Sequence, residues 1–431
     1  MMNNKKISIP RGTADILGVE ALRWSFVEQK AYEILQNYNY KEIRTPMFED
    51  VDLFARSMGK TSDVVQKQML TLERNTREGE SGESKNTFAL RPEGTASAVR
   101  SYIENSIDRK EPLTKLFYIG AMFRGERPQK GRLRQFNQIG VEAIGPNSQN
   151  AYLDAEVISL SMNLLKNFGV KDAVLKINSL GSSEDKENFA NALREQLKKK
   201  QSCLCKNCQQ RFDRNIFRVL DCKNKDCKKE VEALKIKGDY LSEESQKYYK
   251  DVKKALGEIG VEYQEACDLV RGLDYYTGIV FEITSKSLGS QDALGAGGRY
   301  NGLVEQLGGS KGVDAVGFSL GVERILLALQ GEPQEGVGAD VCLVALDENA
   351  FEKAFGILND LRVSGIKSDI VYRTSSVKAQ MRAANKTGAK YVLILGQDEM
   401  NKGIITLKNM EIGEQEEIEL EKVVEFISSI L

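Results

Sequence analysis

The chain reads as an α+β protein in two parts: a first region built around antiparallel strands and carrying an inserted module, and a small α/β domain after about residue 337. Three observations predict this. Two apolar segments between residues 115 and 145, KLFYIGAMF and QFNQIGVEAIG, flank a basic loop and read as an antiparallel pair. From about 183 to 250 the texture turns Lys- and Cys-rich and weakly apolar, which marks an insertion. After the Gly/Pro/Glu stretch at 331–340, the runs DVCLVAL, KSDIVY and YVLIL alternate with helical periodicity, which implies a partly parallel sheet.

The individual elements follow from spacing. Leu22, Trp24, Val27, Ile34, Leu35 and Tyr38 recur at mostly helical intervals and predict a helix over 20–38. The run YKEIRTPMFED then predicts a short strand that Pro46 ends. ERNTREGESGESKN at 73–86 is polar and Gly/Ser-rich, the composition of a flexible hairpin tip. The core pattern resumes at 267 with CDLVRGLDYYTGIVFEI, and in the last domain Phe351, Phe355, Leu358 and Leu361 mark one face of a helix.

Composition restricts the chemistry. The 431 residues include no histidine. A Ser-His-Asp triad, a Cys-His pair, an H-E-x-x-H zinc helix and an H-R-D kinase loop are therefore excluded. Lys and Arg number 61 against 62 Asp and Glu, so no global field advertises a polyanion partner, and any such site must be a local concentration of positive charge. The opening MMNNKKISIPRG has no apolar run and no later stretch has the length of a membrane span, so a cytoplasmic location is expected. Seven cysteines, an odd number, argue for reduced thiols. Cys267 and Cys342 stand alone in apolar surroundings and are expected to be small buried hydrophobes.

The local concentration exists. Between Phe123 and Phe136 lie Arg124, Arg127, Lys130, Arg132 and Arg134 against Glu126 alone, a net +4 in 14 residues. Many such runs are solvated faces. Here the flanking strands fix the loop on a sheet, and guanidinium groups so held suit bidentate binding of phosphate. MGKTS at 58–62 lacks the upstream glycine of a P-loop, since position 54 is Phe, and no G-x-G-x-x-G follows a strand. ATP, if bound, is held by arginines.

At this level of detail the sequence resembles a family. FRGERPQKGRLRQFNQIGVEAIG is similar to the second signature motif of class II aminoacyl-tRNA synthetases in their histidyl-specific form, IRTPMFED resembles the first, and AVGFSLGVERILLAL the third. VRGLDYYTG and AGGRYNGL resemble the two segments peculiar to the histidyl-tRNA synthetases, and RGTADIL and LRPEGT extend the likeness over essentially the whole chain. The resemblance implies a class II catalytic domain over 1–330, an antiparallel sheet flanked by helices with the module 183–250 inserted, and an α/β anticodon-binding domain over 337–431. It implies a homodimer formed through the first motif. The implied reaction activates L-histidine with ATP and Mg2+ to histidyl-adenylate and transfers histidine to the 3′ end of tRNA(His). Related chains that bind histidine or a partner enzyme without charging tRNA tend to lose the catalytic arginine and the C-terminal domain; Arg124, Arg271 and Arg324 are all present here.

Carried over motif by motif, the resemblance assigns Arg124 to the α-phosphate, with Glu126 and Arg324 also on ATP, and Arg271 across the reacting carboxylate and α-phosphate as a fixed cation. Glu93, Thr95 and Gln138 resemble the amino-group contacts, Glu142 and Tyr276 the imidazole contacts, and Arg132, Tyr275 and Tyr300 complete the implied histidine pocket. A ligand with an ammonium and ring N–H groups needs such acceptors, and an unpartnered buried Glu142 would penalise ligands that lack the ring N–H. Arg127, Gln129 and Lys130 resemble residues that meet the tRNA acceptor end, and Arg373, Lys378, Gln380 and Arg382 are candidates for the anticodon side. Taken singly, the carboxylates would be ordinary ion pairs and the tyrosines core.

Two positions depart from the family pattern. Gly125 stands where a larger residue is usual, and Asn137 where histidine is frequent. The cysteine cluster is read from spacing: Cys205-x2-Cys208 with Cys222-x4-Cys227 is near that of a four-thiolate structural zinc site, and because the second pair is wide, zinc and unmetallated thiols both stay open. The missing histidine acquires a second meaning, since a chain that supplies histidyl-tRNA without containing histidine can be made when that product has run out. Deliberate removal of histidines accounts for it equally.

Overall fold

The computed structural model describes residues 7–59, 62–72, 87–220, 222, 224–234, 240–289, 292–329, 338–372 and 376–431. The chain divides into two compact units, Met1–Gly331 and Glu332–Leu431. In the first, the order is α1 (Val19–Asn37), β1 (Lys41–Glu42), β2 (Phe48–Asp50), α2 (Val51–Met58), β3 (Thr71–Leu72), β4 (Phe88–Leu90), α3 (Thr95–Glu104), β5 (Thr114–Phe123), β6 (Gln135–Pro146), α4 (Ala151–Phe168) and β7 (Ala173–Ser179). Then come α5 (Ser183–Lys198), α6 (Lys206–Arg214), α7 (Phe217–Leu220), α8 (Lys225–Glu232), α9 (Glu243–Glu258), β8 (Gln264–Glu265), β9 (Thr277–Ser285), β10 (Ala293–Arg299), α10 (Leu303–Gln306), β11 (Val313–Gly321) and α11 (Val322–Ala328). The helix expected over 20–38 is α1, and the hairpin tip expected at 73–86 lies outside the described residues.

Eight strands of the described residues form one sheet in the order β1-β5-β6-β11-β10-β9-β7-β8. The inner six are antiparallel to one another, and the two-residue edge strands β1 and β8 run parallel to β5 and β7. The two apolar segments of the sequence pair in one unbroken register, from Thr114 opposite Ile144 to Phe123 opposite Gln135. A small antiparallel sheet, β2-β4-β3, stands apart.

The period of two along each strand sorts side chains between two cores. Ile139, Val141 and Ala143 of β6, Ile279, Phe281 and Ile283 of β9, and Val316, Phe318 and Leu320 of β11 pack into one core with α1, α4, α9 and α11. The alternate residues face the other way, towards a second core that joins α2 and α3 to the inserted helices. Gln138, Glu142, Glu282 and Ser319 fall on that second face by register alone. Helix ends are fixed locally: Asn150 accepts N–H bonds from Tyr152 and Leu153 to start α4, Gly169 ends it at φ +97°, and Ser182 and Asp185 form a reciprocal capping box on α5. Each such cap contributes about 1 kcal/mol.

In the second unit, β12 (Val341–Ala345), α12 (Glu348–Val363), β13 (Ser368–Ile370), α13 (Val377–Lys386), β14 (Tyr391–Leu395), α14 (Gln397–Lys402), β15 (Ile404–Asn409), β16 (Gln415–Glu419) and α15 (Val423–Ile430) build a sheet ordered β13-β12-β14-β15-β16. Its first three strands are parallel and its last two antiparallel, the mixed sheet that strand–helix alternation predicts. Among the described residues, no helix is long and apolar enough to cross a membrane. The isolated cysteines differ from each other: Cys342 is buried in β12, whereas Cys267 is exposed, because the segment before β9 runs over the surface there.

Candidate active site

A pocket of about 390 Å³ opens on the second face of the large sheet. β6 supplies its floor. Because Val141 and Ala143 must face the helical core, Glu142 points to the pocket and is buried, 1% exposed. Gly317 of β11 lies directly opposite in register, and a Cβ there would meet the Glu142 carboxylate at 2.0 Å, so glycine makes the room. Three hydroxyls donate to this carboxylate: Thr95 at 2.7 Å, Tyr118 at 3.4 Å and Tyr300 at 2.5 Å. None carries charge. Burial, against the pull of the Tyr300 and Thr95 hydroxyls, pushes the Glu142 carboxyl up to about 8.

Glu93 sits in the loop between β4 and α3. Its carboxylate accepts the N–H groups of Thr95 and Ala96, at 2.8 and 2.9 Å, and so caps the positive end of the helix. Burial still raises its pKa. Gln138 donates through Nε2 to Ser319 at 3.3 Å, while its buried Oε1 has no hydrogen-bond partner among the described residues. Tyr275, Tyr276 and Tyr300 form a ring cluster beside Glu142, with centroids 4.7 and 5.7 Å from that of Tyr275.

Across the pocket stand the arginines. Arg124 donates from Nε to the Pro92 carbonyl at 2.9 Å and lies over the Phe136 ring. Arg271 donates to Glu282 at 2.7 Å. Arg324, in the first turn of α11, is held by the carbonyls of Gly131 at 3.1 Å and Ala293 at 2.6 Å. Arg132 is ion-paired with Glu126. Burial foremost, then the neighbouring guanidinium groups, hold Arg132 and Arg324 below the ordinary arginine value, and burial does the same for Arg124. Four crowded cations destabilise one another, and a polyanion relieves that repulsion.

The basic loop between β5 and β6 divides its side chains. Arg124, Glu126 and Arg132 line the pocket, whereas Arg127, Gln129 and Lys130 are exposed at the tip, where Gln129 and Arg132 bridge through their backbones. The opening segment reaches this loop, with the Gly12 carbonyl accepting the Arg134 N–H at 2.7 Å. Gly125 donates its N–H to Gln68, and a Cβ at this position would come within 3.2 Å of Leu70, so the glycine permits a close approach of residues 68–70. Asn137 bonds Glu323 through its N–H at 2.8 Å and its amide at 3.3 Å. In the second unit Lys378 and Arg382 are exposed on α13 but Gln380 is 1% exposed, and Arg373 lies outside the described residues.

Several contributors escape sequence reasoning. Arg91 is buried and ties Thr45 to the Ala121 carbonyl, joining the first motif to β5. Glu282 anchors Arg271, and its signal was a lone charge in the apolar run GIVFEI. Asp63 and Arg218 reach the pocket wall from distant sequence. Arg299 and Asp154 form a fully buried pair that Tyr248 completes. Apart from the pocket, Cys205, Cys208, Cys222 and Cys227 converge so that their sulfurs all lie within 4.8 Å of one another. The Cys205–Cys222 separation of 3.9 Å is near the roughly 3.8 Å edge of a tetrahedral zinc–thiolate site. The Cys205 N–H already bonds the Cys227 sulfur at 3.1 Å. This donor set suits zinc.

Comparison with known proteins agrees with the geometry. The family model described as Histidyl-tRNA synthetase matches residues 12–325, and one described as Anticodon binding domain matches 340–430. The histidine–tRNA ligase of Halothermothrix orenii is 44% identical, over 99% of this chain and 100% of its own, and that of Staphylococcus carnosus is 44% identical over 98% of each. The apo crystal structure of S. aureus histidyl-tRNA synthetase has a TM-score of 0.80 at 38% identity, covering 98% of this chain and 100% of that one. A class II synthetase catalytic domain is thus followed by an anticodon-binding domain, and the chain belongs to the histidyl-tRNA synthetase family.

Proposed function

We propose that the chain is an ATP-dependent ligase that joins L-histidine to tRNA(His). The observation that carries the reading is one pocket in which four guanidinium groups face two buried carboxylates, Glu93 and Glu142, that have only neutral hydrogen-bond donors. The arginines suit ATP, and the carboxylates suit the ammonium and ring N–H groups of histidine.

In this reading Glu93, Thr95 and the Gln138 Oε1 receive the amino group. Glu142, with Tyr276, Tyr275 and Tyr300 around it, receives the imidazole, and Arg132 closes the pocket beside Glu126. The histidine carboxylate attacks the α-phosphorus, the bond to the β-phosphate oxygen breaks, and diphosphate leaves. Arg124 and Arg271 stabilise the charge that develops on the α-phosphate and carboxylate oxygens, and Arg324 holds the far end of ATP. Glu126 and Glu323 are the pocket carboxylates that would hold Mg2+, which neutralises phosphate charge when bound. In the second step a hydroxyl of the tRNA 3′ end attacks the carbonyl carbon, AMP leaves, and the hydroxyl proton goes to the departing phosphate. No imidazole base is required. Arg127, Gln129 and Lys130, on the exposed tip of the loop, meet the acceptor end.

The same reading divides the chain into a catalytic region 1–330, an insertion 183–250 and an anticodon-binding region 337–431, working in the cytoplasm. It includes a homodimer, for which the exposed Leu22 and Phe26 at helical spacing on α1, with Met47 and Phe48 of the first motif, offer apolar surface. It also includes a structural zinc ion on the four cysteines. The test is histidine-dependent exchange of labelled diphosphate into ATP, with Arg271→Ala as control. Absence of exchange by the unaltered chain refutes the reading.

A further inference from the structure

The segment 270–276, which carries Arg271, Tyr275 and Tyr276, contains little regular structure, and the inserted module contacts it. Lys186 of α5 extends its ammonium to two backbone carbonyls of the segment, Asp274 at 2.7 Å and Tyr276 at 3.0 Å. Asn215, at the end of α6, donates its amide to the Asp274 carboxylate at 2.7 Å. Arg218 of α7 lies against Gly272, where a Cβ would come within 2.8 Å of its Nη1. Behind these, Arg211 of α6 bonds Asp63 at 2.8 Å and the Arg218 carbonyl at 3.2 Å. α6, α7 and α8 are short, and the four cysteines tie their ends together.

We propose that Lys186, Asn215 and Arg218 of the inserted module are positioning residues for histidine activation: they latch the 270–276 segment in the shape that places Arg271 and the two tyrosines at the pocket. The proposal rests on the reading of Arg271 as the cation at the reacting carboxylate. Three side chains converge on five consecutive residues, and Lys186 grips two backbone carbonyls, so it fixes the chain path whatever the side chains of the segment do. The direct Glu282 contact sets the Arg271 guanidinium; the latch sets the backbone from which it extends. Misplacing a reacting group by about 1 Å costs on the order of a hundredfold in rate.

The experiment is a pair swap in the full-length chain, read by diphosphate exchange. Asn215→Asp sets two carboxylates against each other and is expected to lower kcat by ten- to hundredfold, with the KM for ATP within about threefold of the unaltered value. Adding Asp274→Asn reverses donor and acceptor across the same contact and is expected to bring kcat back to within about threefold. Lys186→Met, read by hydrogen exchange, is expected to raise exchange of the 270–276 amides at least tenfold while the α4 amides stay protected. An Asn215→Asp chain with full kcat, or a double variant no better than the single one, overturns the latch. Arg271→Ala run in parallel separates the two readings: full exchange by that variant overturns the role of Arg271 itself, whereas its loss beside an unaffected Asn215→Asp overturns the latch alone.

Discussion

Glu142→Gln offers a two-sided test of the histidine pocket. The carboxylate is 1% exposed, accepts three neutral hydroxyls and has its pKa pushed up from 4.5 to about 8, with burial the leading cause. Folding therefore takes up a proton between those two values. The unfolded chain is ionised there and the folded one is not, so this group lowers stability as pH rises through the window. At 1.36 kcal/mol per pH unit, the loss between pH 5 and pH 8 is on the order of 3 kcal/mol. Glutamine fills the same space and its amide finds the same hydroxyls, which rotate to accept or donate. Relative to the unaltered chain, the variant should gain stability with rising pH, by several degrees in thermal midpoint at pH 8 over the difference at pH 5. Its affinity for histidine should fall. Removing the charged partner of a buried ligand contact costs about 3 kcal/mol, which is about a hundredfold in the KM for histidine. The KM for ATP should hold, because Arg124 and Arg324 stand elsewhere in the pocket. Diphosphate exchange and thermal scans across pH read both quantities. A wild-type KM for histidine, or a stability deficit that grows with pH, would refute the reasoning.

Arg127→Ala with Lys130→Ala should leave diphosphate exchange unchanged within twofold but weaken tRNA charging, and should reduce the salt dependence of tRNA affinity by about two phosphate contacts, as filter binding across salt would measure. Cys222→Ser should drop zinc content well below one equivalent by elemental analysis, where the unaltered chain should carry about one; a metal-free unaltered chain ends the zinc reading. Under histidine starvation, a version of the chain carrying histidines at neutral surface positions should accumulate less than the histidine-free one by quantitative blotting. Equal accumulation would remove the idea that its composition decouples its synthesis from its product.

What the sequence made legible were the features set by local rules. Alternation in QFNQIGVEAIG places Glu142 opposite Val141 and Ala143, and in GIVFEI it places Glu282 opposite Phe281 and Ile283. Helical spacing gave α1, and strand–helix alternation gave the mixed sheet of the second unit. The cysteine spacing pointed to a cluster that the fold does assemble. Less legible were contacts between residues far apart in the chain. Nothing near Lys186 or Asn215 announces Asp274, 88 and 59 residues away. Arg91 looks like one more charge in LRPEGT until the backbone and hydroxyl acceptors around it are seen. Gln380 reads as a polar residue on a helix face, and only tertiary packing turns it inward.

The site also shows why imidazole is dispensable here. A general base near neutral pH is needed where a bond to hydrogen must break as another bond forms. In activation the attacking group is already a carboxylate, so the protein has only charge to stabilise, and arginine does that without ever losing its proton. Glu142 of the pocket is raised to about 8 by burial. In the proposed reading it faces the substrate's side chain rather than the reacting atoms. A cation supplies what its three hydroxyl partners cannot, and a histidine ring that is neutral in solution becomes one by taking up the Glu142 proton, so the proton passes to the imidazole and not to the solvent. Histidine binding at pH 7 should then give a heat nearly independent of buffer ionisation in calorimetry, and release of close to one proton would show that the carboxyl ionises against a neutral ring instead.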